Sequence, residues 1–254
     1  MRLTTIGTGT AAPSPARVQS ATLIDAGDVR LLVDCGSGAV FRMAQLGIAW
    51  TTLTHVALTH FHADHTNDLA NLLWAWRYGT LPPRSEPVSI IGPIGTDALL
   101  TNLAAAFGSA LREAVPLTVQ EIAPDAAIDL GGGLTLTARK VPHTAESVAY
   151  SVSRGGWRVV LSGDTGYEPE LGQWARGCDA FVLECSLPDE LAIPTHLTPR
   201  QCGELAALAE PGLLVLNHFY PPVEASDIAA QLRERYGGKL VLAHDGWSID
   251  FEET

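Results

Sequence analysis

Cysteine is scarce in this chain of 254 residues. Its four copies, Cys35, Cys178, Cys185 and Cys202, form no C-x-x-C pair. They are too few for a disulfide framework, so reduced, structural thiols in a cytoplasmic setting are expected. Long apolar runs are missing too. Nothing approaches the roughly 18 residues that a membrane span needs, and the opening MRLTTIGTGTAAP has no secretory apolar region, so no membrane partner is expected. Basic residues are also few. Sixteen Lys and Arg against 28 Asp and Glu leave a formal net charge of −12, a field that repels polyanions and excludes avid nonspecific nucleic-acid binding unless bound cations reverse it locally. With no low-complexity or linker segment, and with 46% hydrophobic residues to build a core, a single domain over residues 1–254 is expected.

What is present alternates. LLVDCG at 31–36 and HVALTH at 55–60 read as strands, and TNDLANLLWAW at 66–76 has helical spacing. LTLTARKV from Leu134, then VAYSVSR, a Gly155-Gly156 turn and WRVVLSGD predict antiparallel strands with a hairpin. DAFVLEC at 179–185, a helix from Pro199 to Glu210 capped by Thr198, LLVLNHF at 213–219, a helix over 224–236 and KLVLAHDG at 239–246 return to strand–helix alternation. Two similar α/β halves around one core follow. The Pro-rich 79–87 reads as a surface loop. GTGTAA at 7–12 imitates a dinucleotide fingerprint, but Pro13 and Pro15 stand where its helix would run, so a tight turn is expected there.

LTHFHADHTNDL at 58–69 concentrates metal-capable side chains. His60 and His62, two apart in extended backbone, would point to one side and chelate one ion, with Asp64 continuing that face. His65, where the chain turns into the helix, could face a second ion with Asp64, so H-x-H-x-D-H suits a two-metal site. The remaining ligands should lie at other strand ends, where His143, Asp164 and His218 stand. Histidine and carboxylate donors without cysteine fit Zn²⁺ first, with Mn²⁺ or Fe²⁺ as alternatives. Asp34 is expected to orient a ligand imidazole, while Cys35 and His55 are read as structural.

THFHADH, VPHTAESVAY, LSGDT and LNHF, in that order, resemble the metallo-β-lactamase-fold hydrolases over essentially the whole chain. The resemblance implies a four-layer αββα sandwich with two zinc ions: His60, His62 and His143 on one, Asp64, His65 and His218 on the other, and Asp164 bridging. IGTGTAAPSPARVQSATLI, ECS at 184–186, HLT at 196–198 and LAHDGWSI are similar to the ribonuclease Z branch. That likeness implies that His196 contacts the scissile phosphate and aids departure of the leaving group, supported by Glu184. Members of that branch insert a long Gly/Pro-rich arm, which holds tRNA, between the third histidine and the bridging aspartate. Here a hairpin's worth of chain separates His143 from Asp164, and LNHFYPPV is less basic than that branch.

The expected activity is therefore that of a zinc-dependent hydrolase, a ribonuclease Z-like phosphodiesterase, in which two ions activate a bridging water against a phosphodiester and Asp64 orients it or takes its proton. The missing arm and the negative charge argue for a small-molecule or short single-stranded phosphodiester and against full tRNA. A hydrolase of a carboxyl derivative (lactone, thioester or β-lactam) is the rival, since fold does not fix substrate. WAWRY at 74–78 has two readings: a substrate entrance, with Arg77 pairing a phosphate and the Pro-rich loop as a lid, or a core or homodimer contact.

Overall fold

The structure is a computed structural model and describes residues 1–251. In chain order the first half supplies β1 (Arg2–Gly7), β2 (Ala21–Asp25), β3 (Arg30–Val33), α1 (Ala39–Gln45), β4 (His55–Ala57), α2 (Ala63–Tyr78), β5 (Val88–Gly92), α3 (Thr96–Phe107) and β6 (Leu117–Glu121). The second half supplies β7 (Ala127–Asp129), β8 (Thr135–Lys140), β9 (Val148–Arg154), β10 (Trp157–Leu161), α4 (Pro169–Trp174), β11 (Ala180–Glu184), α5 (Pro199–Ala209), β12 (Leu213–Asn217), α6 (Pro221–Glu224), α7 (Ile228–Arg233) and β13 (Leu240–Leu242). β14 (Ser248–Asp250) returns to pair with β1. Two seven-stranded sheets result, ordered β14-β1-β2-β3-β4-β5-β6 and β13-β12-β11-β10-β9-β8-β7.

Strand periodicity explains why four layers form. Along β3, Leu31 and Val33 join the core between the sheets while Leu32 packs outward under the first helices. Along β11, Ala180 and Val182 face the same inner core while Phe181 and Leu183 face α5. Each sheet is thus apolar on both faces and must be covered twice, by its partner sheet and by helices. Leu69, Leu72, Leu73 and Trp76 of α2 close one outer face, and Leu205, Ala206 and Leu232 close the other. The αββα sandwich expected from the sequence is the architecture found.

Several local readings hold. The β9–β10 hairpin pairs Arg154 with Trp157 across Gly155 and Gly156, both at positive φ (55° and 91°), as a two-residue primed turn requires. α5 begins with Thr198 and Gln201 in a reciprocal capping box and Pro at its first turn. Others need correction. The strand expected over 55–60 ends at Ala57, so His60 and His62 lie in a loop. Asp64 is in the first turn of α2, not on an extended face. The helix expected over 224–236 divides into α6 and α7, and Asp227 caps the second through its side chain to the Ala230 amide. α6 has already ended at Glu224, and the Asp227 cap starts a separate helix.

The entrance reading of WAWRY also fails. Arg77 lies about 18 Å further along the helix axis than His65 at 1.5 Å per residue, and it donates to the Glu113 carbonyl at 3.2 Å. Trp76 is fully buried. The Pro-rich loop is pinned at the same distant end of α2, where the Arg84 guanidinium donates to the Thr51 and Leu53 carbonyls, both at 2.6 Å.

Candidate metal centre

The chain emerges from the C-terminal ends of β3, β4, β8, β10, β11 and β12 carrying Asp34, His60 with His62, His143, Asp164, Glu184 and His218. Strand ends gather these groups because the parallel blocks all point one way, leaving their loops on one rim. Two of the turns are strained. Asp34 (φ 61°) and His218 (φ 58°) are left-handed, a conformation that costs a non-glycine residue about 1–3 kcal/mol and persists where surrounding structure overrides it. Gly163 (φ 58°) turns the chain into Asp164 with no room for more. A Cβ there would stand 2.8 Å from that of Thr59.

Two donor sets form. His60, His62, His143 and Asp164 offer one set of ligand atoms, and Asp64, His65, Asp164 and His218 offer the other, each set within 4.8 Å. Asp164 serves both. Its Oδ2 is 3.8 Å from His143 Nε2 and 3.9 Å from His60 Nε2, while its Oδ1 is 3.2 Å from His65 Nε2 and 3.3 Å from His218 Nε2. His62 turns Nδ1 inward, 3.0 Å from His143 Nε2. His218 Nε2 is 3.4 Å from both His65 Nε2 and Asp64 Oδ2.

These spacings fit a metal. Nitrogen donors at 2.0–2.1 Å from a tetrahedral Zn²⁺ stand roughly 3.3–3.4 Å apart. Buried His60 Nε2 and Asp164 Oδ1 have no hydrogen-bond partner, a loss not tolerated unless something else occupies those lone pairs. The outward nitrogens, by contrast, are held. His60 Nδ1 meets Thr59 Oγ1 at 3.0 Å, His65 Nδ1 meets Asp34 Oδ2 at 2.7 Å, His143 Nδ1 meets the Thr195 carbonyl at 2.9 Å, and His218 Nδ1 meets Ser186 Oγ at 2.9 Å. Such contacts fix ring orientation and leave the inward nitrogen as the donor. Asp34 therefore does what the sequence suggested, orienting His65.

Without cations the rim is electrostatically tense. Burial and the neighbouring imidazoles push His60 down to about 2. Burial alone would depress His65, but Asp164 and Asp34 hold it well above its usual value. Burial likewise opposes ionisation of Asp164, yet His218, His65 and His60 keep it well below the carboxylate range. Charge is being traded among seven side chains that divalent ions would satisfy together.

Beside the two sets lies a third group. His196 Nδ1 is 3.0 and 3.1 Å from the two oxygens of Glu184, which is buried and also accepts from the Thr165 amide at 2.6 Å. Ser186 Oγ donates to Glu184 Oε2 and lies 3.3 Å from His196 Nδ1, tying this pair to His218. His196 Nδ1 is 4.0 Å from Asp164 Oδ2. The nine residues expected as metal ligands or catalytic groups thus converge with Asp34, while Arg77 does not, and Thr59, Ser186 and the Thr195 carbonyl join them without a sequence signal of their own. ECS and HLT at least placed Ser186 and Thr195 beside marked residues.

Residues 29–219 match the family model of the β-lactamase superfamily domain. A ribonuclease Z of Mycobacterium sp. (strain KMS) is 34% identical over 270 residues, covering 96% of this chain and 94% of that one. The chain belongs to the ribonuclease Z-like branch of the β-lactamase superfamily. Two solved structures share the metallo-β-lactamase fold with it. The metallo-β-lactamase fold protein YhfI from Bacillus subtilis superposes with a TM-score of 0.85 at 23% identity, covering 98% of both chains. The short form of human tRNase Z superposes with a TM-score of 0.80 at 23% identity, again over 98% of both. As a ribonuclease Z-like protein it is a hydrolase with a metal-binding rim, and none of its described helices is long and apolar enough to cross a membrane.

Proposed function

We propose that this ribonuclease Z-like protein is a dizinc phosphodiesterase acting on small or short single-stranded phosphodiesters. The observation that carries the reading is the His196–Glu184 pair at 3.0 Å beside a doubly shared Asp164. When bound at these two donor sets, divalent ions would supply an activated water and neutralise charge on phosphoryl oxygens. His60, His62 and His143 would hold one ion and Asp64, His65 and His218 the other, with Asp164 offering an oxygen to each set. Zn²⁺ suits these donors, with Mn²⁺ or Fe²⁺ next.

The protein's own groups divide the proton work. Burial disfavours the Asp64 carboxylate, but His218 and His65 hold it down at about 2, so it is ionised and able to orient the attacking water through a hydrogen bond. His196 keeps Nδ1 on Glu184, which leaves Nε2 to hand a proton to the departing oxygen. Burial opposes the charged ring, yet the hydrogen bond and charge of Glu184, with Asp164 and Asp64, lift it to about 9. An alkoxide needs such a donor. A carboxyl derivative with an easily expelled leaving group has less use for one.

Residues 144–163 hold only short loops and the β9–β10 hairpin, and the net charge is −12, which supports a compact substrate over a full tRNA. Purified protein assayed side by side on bis(p-nitrophenyl) phosphate, a cyclic nucleotide, a lactone and nitrocefin tests the proposal. Preferential turnover of the phosphodiesters is expected. Preference for the lactone or nitrocefin would replace it with the carboxyl-hydrolase reading.

A further inference from the structure

Lysine is almost unused in this chain: Lys140 and Lys239 are the only lysines among its 16 cationic residues. Lys140 ends β8, three residues before His143, and its ammonium turns back over the loop that follows. Nζ donates to the carbonyls of Val141 at 2.6 Å, Thr144 at 2.7 Å and Ser147 at 3.2 Å. An ammonium carries three donors around one nitrogen, so three carbonyls converging on one point engage all of them, a task that the flat fork of a guanidinium fits poorly. No donor is left for a phosphate.

What this clasp holds is the connection from β8 to β9, residues 141–147, and with it His143. The three carbonyls span that loop from its first residue to its last. Within it the Thr144 amide donates to Ser147 Oγ at 3.1 Å, and the Val141 amide donates to the Ser147 carbonyl at 3.2 Å. Toward the rim, the Pro142 carbonyl accepts from the Gly166 amide at 2.7 Å and His143 Nδ1 meets the Thr195 carbonyl at 2.9 Å. Elsewhere the loop is less supported: a cavity of about 390 Å³ lies beside Lys140, Ala145 and Glu146, facing Pro93, Ile94 and Pro124. Ordering such a segment costs conformational entropy that packing does not offset on that flank, so the polar ties must hold it. His143 belongs to the first donor set and not to the second, with Nε2 3.0 Å from His62 Nδ1.

We propose that Lys140 is a positioning residue: by drawing the Val141, Thr144 and Ser147 carbonyls onto one ammonium, it fixes the 141–147 loop so that His143 meets His60 and His62 in the first donor set. The inference rests on the two-ion reading and adds to it the residue that shapes one of its two sites.

The test uses the full chain with Lys140→Met and with Lys140→Cys, the latter before and after alkylation by 2-bromoethylamine, which rebuilds an ammonium of nearly the same reach while burial shields the four native cysteines. Zn²⁺ is titrated against a chromophoric chelator, the metal-free proteins are melted, and the His143 ring N–H that meets the Thr195 carbonyl is followed by NMR. In Lys140→Met the equivalent that His143→Ala abolishes should bind roughly 10- to 100-fold more weakly, the usual worth of groups that orient a ligand. The other equivalent and the metal-free Tm should stay as in the unmodified protein, and alkylation of Lys140→Cys should restore the lost affinity. Unmodified affinity for both equivalents in Lys140→Met would overturn the proposal, as would failure of alkylation to restore the weakened site. Equal weakening of both equivalents with a lower metal-free Tm would overturn it too, making Lys140 a general support of the fold. If the unmodified protein takes up no zinc, the two-ion reading fails by itself, and the ring N–H still decides: its loss in Lys140→Met and return on alkylation support the positioning role, and an unmoved signal ends it.

Discussion

Nδ1 of His196 lies 3.0 Å from Oε1 of Glu184. That contact keeps one ring proton on Nδ1, so in the charged ring the second proton is on Nε2, the atom left to donate. His196→Ala should therefore slow an alkyl or nucleotide phosphodiester by roughly 10²–10⁴-fold more than an activated aryl one, the usual worth of a positioned acid. p-Nitrophenolate leaves without protonation; an alkoxide does not. Equal losses on both substrates, read as kcat/KM, would show that His196 organises the rim instead.

The same contact has a pH signature. In metal-free protein the His196 ring is held up at about 9, above its ordinary value near 6.5. A raised pKa means the charged ring stabilises the fold fully below about 6.5, and that this contribution is lost as pH climbs through about 9. Glu184→Gln removes the main partner, so the ring should titrate at lower pH. NMR titration of the imidazole in both proteins measures the change; no movement would detach the shift from Glu184.

Asp34 holds His65 at 2.7 Å from a left-handed backbone. Asparagine tolerates that conformation and alanine does not. Asp34→Asn should weaken metal binding by about 10–100-fold with little loss of Tm, whereas Asp34→Ala should lose both. Competition against a chromophoric chelator and thermal melts separate the two effects. Equal melting of the two variants would dismiss the backbone argument.

Asp164 faces both donor sets, so its removal should cost more than one ion. Metal analysis after chelator-free purification should find close to two equivalents in the unmodified protein, about one in His143→Ala and fewer in Asp164→Ala. Stripping the ions should lower Tm, because whatever binds only the folded state stabilises it. An active protein with near-zero metal would end the metallohydrolase mechanism.

Legibility in the sequence followed distance along the chain. H-x-H-x-D-H could be read as a donor cluster because its members are neighbours. Strand–helix alternation pointed to two α/β halves, and the αββα layering was implied by the family resemblance, with Leu31, Leu32 and Val33 showing its cause only once both faces of β3 are seen covered. The geometry was less readable. His60 and His62 converge from a loop, with His62 in extended backbone at the start of α2, and no local pattern fixes where a strand stops. Residues 88–121, which hold β5, α3 and β6, carried no sequence landmark and were unassigned. Thr59, Ser186 and the Thr195 carbonyl are common groups whose role exists only once a distant imidazole is brought against them. Arg77 misled for the opposite reason: a charge close in sequence to the histidines sits several helical turns away from them.

Each donor set draws two side chains from either sheet: His60 and His62 meet His143 and Asp164, while Asp64 and His65 meet Asp164 and His218. Neither half of the chain can complete a set by itself, so an ion bound here would act as a rivet, its binding energy becoming energy of docking one half onto the other. During synthesis the first set lacks a member until Asp164 has emerged, and the second until His218 has. On the proposed two-ion reading, one ion would be admissible before the other, and the pair only when nearly all of the sandwich exists.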